Sequence, residues 1–131
     1  MTTLQPVRIL IIEDEPMIAF GLEELLVSCG YDVAGVAVKL PKALLLIERG
    51  AFDLAIVDAN LAGVSASPAG SALAARGSPY IVLSGYSTIQ LAGAFPGAEL
   101  FLQKPCIPAK LIEGLSKISH TLPDRGAPSL G

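Results

Sequence analysis

The chain has 131 residues, of which 52% are hydrophobic and 16% charged, with a formal net charge of -3. That length suits one domain with one core, and so apolar a composition excludes a disordered segment. The acidic balance, without any basic stripe, argues against direct nucleic-acid binding, and no apolar run reaches the roughly 20 residues that span a bilayer, so a cytoplasmic chain without membrane contact is expected.

In chain order, Arg8–Ile12 is a β-branched run that stops at Glu13-Asp14-Glu15, after which Pro16 supplies the backbone angle favoured at a first helical position. This predicts a strand, an acidic loop and a helix. Ile18, Leu22, Leu25 and Leu26 mark the apolar face of that helix, and Gly30 suits its left-handed end. Residues 33–38 form a second expected strand, 41–49 a second helix, and 54–57 a third strand that ends on Asp58. Residues 65–77, rich in Ser, Ala and Gly, predict a short helix that begins at or after Pro68. A fourth strand over 80–83 ends at Ser84, a helix follows over 87–95, and a fifth strand over 100–102 leads to Lys104-Pro105. The last helix covers 108–120.

Strands that are apolar on both faces and alternate with helices imply a doubly wound α/β fold, a parallel sheet covered on both sides. Such sheets carry their sites at the carboxyl ends of the strands. The polar residues that interrupt the apolar runs fall there: Glu13 and Asp14, then Asp58, Ser84 and Lys104. Three carboxylates drawn together repel one another unless a cation compensates, and an all-oxygen donor set suits magnesium. Lys104 and the Ser84 hydroxyl add donors that could neutralise a phosphoryl group in flight, and Asp58, central among them, is the natural nucleophile. Cys29 and Cys106 are isolated and are expected to be buried free thiols, with no disulfide. His120, the single histidine, is expected at a surface or helix end.

Ile11-Ile12-Glu13-Asp14-Glu15-Pro16, Asp58-Ala59-Asn60-Leu61, Ser84-Gly85-Tyr86 and Gln103-Lys104-Pro105 together resemble the receiver domain of response regulators. The likeness covers about residues 7–120 and leaves 121–131 as a flexible tail. It implies the flavodoxin-like, CheY-like strand order 2-1-3-4-5. It further implies that Glu13, Asp14, Asp58 and the backbone carbonyl of Asn60 hold Mg2+, with Mn2+ as a substitute, and that Asp58 is the phosphoacceptor. Ser84 takes the hydroxyl position beside the phosphoryl group, Lys104 pairs with a phosphoryl oxygen, Phe101 matches the aromatic switch position, and Pro105 falls at the family's cis peptide bond.

Function follows the same resemblance: a single-domain response regulator in a two-component phosphorelay, fed by a sensor histidine kinase or a phosphotransfer protein and acting on a downstream protein or a second copy of itself. The only chemistry implied is self-catalysed phosphoryl transfer and slow loss, short of a true enzyme. Pro79 to Tyr86 also resembles stand-alone receivers paired with HWE-type kinases. Two features depart from the pattern. The loop after Asp58 reads Leu61-Ala62-Gly63-Val64-Ser65, without the usual proline, and Phe101 lacks the hydroxyl of a tyrosine, a role that Tyr86 could share. The altered loop keeps an alternative open, a degenerate receiver that works by protein contacts alone. A phosphatase of the haloacid dehalogenase type fares worse, since Asn60 stands where its second Asp is needed, and a dinucleotide binder would need Gly-x-Gly-x-x-Gly where Glu13 and Asp14 lie.

Overall fold

The computed structural model describes residues 5–85, 91 and 93–122. Strand β1 (Arg8–Ile12) is followed by helix α1 (Pro16–Ser28), strand β2 (Asp32–Ala37), helix α2 (Leu40–Arg49) and strand β3 (Leu54–Asp58). Two short strands come next, β4 (Asn60–Leu61) and β5 (Val64–Ser65), then helix α3 (Ser67–Ala75) and strand β6 (Tyr80–Ser84). Strand β7 (Leu100–Gln103) and helix α4 (Pro108–Ser119) complete the described elements. The five longer strands form one parallel sheet in the order β2-β1-β3-β6-β7, which is the order expected once the short pair is set aside.

The two-residue period of a strand sorts each run into two layers. Leu10, Ile12, Ala55, Val57, Tyr80 and Val82 face Ala43 and Ile47 of α2 and Ala69 and Leu73 of α3. Ile9, Ile11, Leu54, Ile56, Ile81 and Leu83 face Leu22 and Leu26 of α1 and Leu111, Leu115 and Ile118 of α4. Strands β3 and β6 are buried along their whole length, so the carboxylate that ends β3 is delivered into the middle of the fold.

Each of the four described helices has a proline in its first two positions and none has a side-chain cap. The N–H that proline lacks would have had no partner inside the helix at that position. This corrects the third helix by one residue: α3 starts at Ser67, with Pro68 second, because a proline there removes no helical bond. The cysteines also differ from expectation. Cys29 is exposed, since it caps α1 just beyond the apolar face, and Cys106 is only half-buried between β7 and α4. Both are free, and burial pushes the Cys106 thiol above its ordinary pKa. His120 is exposed at the end of α4, its Nδ1 2.7 Å from the Ser116 carbonyl. Of the helix expected over 87–95, residues 87–90 and 92 lie outside the described residues, as does Tyr86 before it; Leu91 is helical.

The element that the sequence did not announce is the hairpin β4–β5. Asn60 pairs with Ser65 and Leu61 with Val64, antiparallel, across the two-residue turn Ala62–Gly63. Both turn residues have positive φ, 53° and 86°, the pattern of a type I′ turn, whose twist matches that of the strands it joins. Gly63 takes this conformation freely, whereas Ala62 is the one non-glycine residue to do so among the described residues.

Candidate functional site

The site lies where the sheet's central strands end. β1 and β3 are neighbours in register, Ile12 opposite Val57, so the residues that follow them, Glu13 and Asp14 on one side and Asp58 on the other, emerge together. Carboxylate oxygens of Glu13, Asp14 and Asp58 lie within 4.8 Å of one another. Glu13 and Asp58 are buried, and Asp14 is partly exposed. Lys104 reaches in from the end of β7, with Nζ 3.0 Å from Asp58 Oδ2 and 3.2 Å from Glu13 Oε1.

Backbone amides complete the pocket. The Glu15 N–H donates to Glu13 Oε2 at 3.1 Å, the Asn60 N–H to Asp58 Oδ1 at 3.2 Å, and the Ala62 N–H to Asp14 Oδ2 at 3.0 Å. Ser84 is buried at the end of β6, one residue beyond the pairing of Leu83 with Asp58, and its carbonyl accepts the Lys104 N–H at 2.8 Å. That backbone bond fixes where the Lys104 side chain starts. The Lys104–Pro105 peptide is cis. Phe101 pairs with Val82 and lies half-buried against the layer that includes Tyr80 and Phe95.

The charges explain one another. Burial pushes the Glu13 carboxyl up to about 7; the Glu15 N–H opposes this, the Asp58 carboxylate adds to it, and Lys104 opposes it again. Burial pulls the Lys104 ammonium down, but Asp58 and Glu13 outweigh burial and leave its pKa raised. One ammonium against three carboxylates leaves the pocket with an excess of negative charge. Glu13 Oε1 is buried without a hydrogen bond, and the Lys104 ammonium lies 3.2 Å from it as an ion pair. A buried acceptor without a hydrogen bond, in an all-oxygen set with surplus negative charge, fits a hard divalent cation such as Mg2+.

The sequence brought out the side chains of this pocket but not its amides. The Asn60 and Ala62 N–H groups depend on the hairpin turn, and the signal that could have found it is Gly63 placed between Leu61 and Val64 as the second residue of a two-residue loop.

A five-stranded parallel sheet with an acidic cluster and a lysine at the carboxyl ends of its strands is the arrangement of a phosphorelay receiver, and the chain belongs to the response regulator receiver domain family, which residues 9–116 match. Among curated proteins it is similar to the transcriptional regulatory protein PdtaR of Mycobacterium tuberculosis, 34% identical over 113 residues, a match that takes in 84% of this chain and 55% of that protein. The chain thus spans about half the length of the curated relatives it matches. Among solved structures it is similar to the receiver domain of the PhyR response regulator from Erythrobacter litoralis, with 28% identity, TM-score 0.77, and coverage of 96% of this chain and 97% of that one. It is also similar to a CheY-like receiver domain protein from Methanospirillum hungatei, with 28% identity, TM-score 0.76, and coverage of 87% and 94%.

Proposed function

We propose that this domain accepts a phosphoryl group on Asp58 from the phosphohistidine of a sensor histidine kinase or a phosphotransfer protein. The observation that carries this reading is the placement of Asp58: buried at the end of the central strand, 3.0 Å from an ammonium and clustered with two further carboxylates. An Asp58 carboxylate oxygen would form the bond to phosphorus while the P–N bond breaks, its electron pair staying with the departing imidazole. Lys104, already on Oδ2, needs little movement to pair with a phosphoryl oxygen, and the Asn60 N–H keeps the other carboxylate oxygen oriented. Ser84 would offer its hydroxyl to a second phosphoryl oxygen. Glu13, Asp14, Asp58 and the Asn60 carbonyl would hold Mg2+, or Mn2+ with the same oxygen ligands. The ion would neutralise charge on the transferring group.

The donor would be a protein, and exposed apolar side chains close in sequence to the pocket suit protein contact: Met17 and Phe20 on α1 and Ile107 ahead of α4. Phe101 on β7 would pass the change in the pocket to a downstream protein or a second copy of the domain. We take residues 7–120 as the receiver unit, working in the cytoplasm; of the expected tail, residues 123–131 lie outside the described residues, and no helix among the described residues is long and apolar enough to cross a membrane. Retention of every pocket group, with the hairpin amides in place of the usual loop, supports the phosphoacceptor over a degenerate adaptor.

Acetyl phosphate with Mg2+ should add one phosphoryl group by intact-protein mass spectrometry, and Asp58→Asn should take up none. Equal uptake by the two proteins would reject the reading.

A further inference from the structure

We propose that Ala62 is a positioning residue for the cation site: its backbone N–H, aimed by the left-handed turn at Ala62–Gly63, holds the Asp14 carboxylate in place. The inference rests on the reading of the acidic pocket as a cation site and adds to it a residue that carries no chemistry in its side chain.

Asp14 has little else to hold it. It lies in the loop between β1 and α1, is partly exposed, and among the described residues receives one hydrogen bond, that from Ala62, 48 positions along the chain. Left to itself, such a side chain would exchange rotamers, and a ligand that must be ordered on binding weakens the site. The Ala62 N–H removes that freedom beforehand.

The turn is what aims this N–H. At φ 53° Ala62 adopts a conformation that costs any residue bearing a Cβ, and the surroundings hold it there. Leu61 and Val64 pair across the turn, and the Gly63 N–H closes onto Asn60 Oδ1 at 2.8 Å. In the same loop the Asn60 N–H serves Asp58 at 3.2 Å while the Ala62 N–H serves Asp14 at 3.0 Å. Alternate amides of one hairpin therefore engage carboxylates delivered by two different strands. Each offsets part of their repulsion, and because a carboxylate has several lone pairs, each leaves room for a cation. A proline at position 62 could do none of this, having neither the N–H nor access to positive φ.

The test removes the N–H without altering a side chain, by replacing alanine 62 with lactic acid so that the Leu61–Ala62 amide becomes an ester, and reads MgCl2 affinity from NMR titration of the pocket amides. The ester should weaken Mg2+ binding about 10-fold, as loss of a group that orients a metal ligand typically does, while Ala62→Gly, which keeps the N–H, stays within about twofold of wild type. In an Asp14→Ala background the ester should change nothing further, a result that separates positioning of Asp14 from a general loosening of the loop. Wild-type affinity in the ester, or an equal loss in the Asp14→Ala background, would overturn the inference while the cation site stands. No Mg2+ binding by the wild type would overturn both.

Discussion

The two loops that meet at the pocket are built by opposite means. The one after β1 supplies carboxylates, Glu13 and Asp14, in three residues squeezed between a buried strand and Pro16. The one after β3 adds to Asp58 the backbone N–H groups of Asn60 and Ala62, aimed by a hairpin whose turn holds an alanine at positive φ. The first loop brings two of the three carboxylates and the second brings the hairpin amides beside Asp58, with Lys104 as the shared charge. The contrast shows how three carboxylates come to be tolerated around buried ground: the second loop answers the first with dipoles, and the remaining negative charge is left for a cation.

The largest effect should come from removing the charge common to both loops. Lys104→Ala strands Glu13 and Asp58 together without their ammonium, and in metal-free buffer at pH 7 it should cost about 2–4 kcal/mol in thermal or urea unfolding, within the range for a broken buried pair after allowance for the partial exposure of Lys104. An unchanged melting temperature would mean that the loops do not depend on a shared cation.

Next in size is an alkaline transition beneath the second loop, where α3 packs on β6. Tyr80 is fully buried, its hydroxyl donates to the Pro96 carbonyl at 2.6 Å, and burial pushes its pKa up to about 12. The folded-state value lies above the unfolded one, near 10, so the stability associated with the neutral phenol is complete below pH 10 and is lost as pH rises from 10 towards 12. Urea unfolding from pH 9 to 11.5 should therefore fall more steeply for wild type than for Tyr80→Phe; parallel curves would contradict the assignment. Gly70 on α3 leaves no room above that ring, since a Cβ there would lie 2.8 Å from Phe95 and 2.9 Å from the Tyr80 hydroxyl oxygen. Gly70→Ala should cost about 1–3 kcal/mol in thermal denaturation, as overpacking does.

The smallest effects sharpen the comparison itself. Gly63→Ala, which puts a second Cβ at positive φ in the hairpin, should cost about 1 kcal/mol, whereas Ala62→Gly should be neutral or stabilising by a few tenths because relief of strain opposes the entropy glycine gains when unfolded. Thermal melts of the pair check the sign. If both substitutions destabilise equally, the turn is not left-handed at both positions.

How much of this could be read from the chain follows the same division. The five long strands were legible as continuous apolar runs, and α1, α2 and α4 as segments that open at a proline and carry apolar residues at helical spacing; the sheet order is the one that the resemblance implied. Glu13, Asp14, Asp58, Ser84 and Lys104 were legible as polar residues at strand ends, and the structure brings the three acids and the lysine together. The hairpin was not, because strands of two residues have no period to detect and Ala62–Gly63 lacks the Asn-Gly or Asp-Gly signature of such turns. The start of α3 and the exposure of Cys29 were missed for a related reason: both are set by where a helix ends in space, which residue type alone does not fix.

The central claim, that the two loops and Lys104 prepare one carboxylate for phosphoryl transfer, is tested most directly by locating the modified residue. After phosphorylation with acetyl phosphate and Mg2+, borohydride reduces an acyl phosphate to the corresponding alcohol, and peptide mapping reads its position. The account predicts a single reduced residue at Asp58, lost when Mg2+ is withheld. Labelling at Glu13 or Asp14, or at Asp58 to the same extent without the metal, would contradict it.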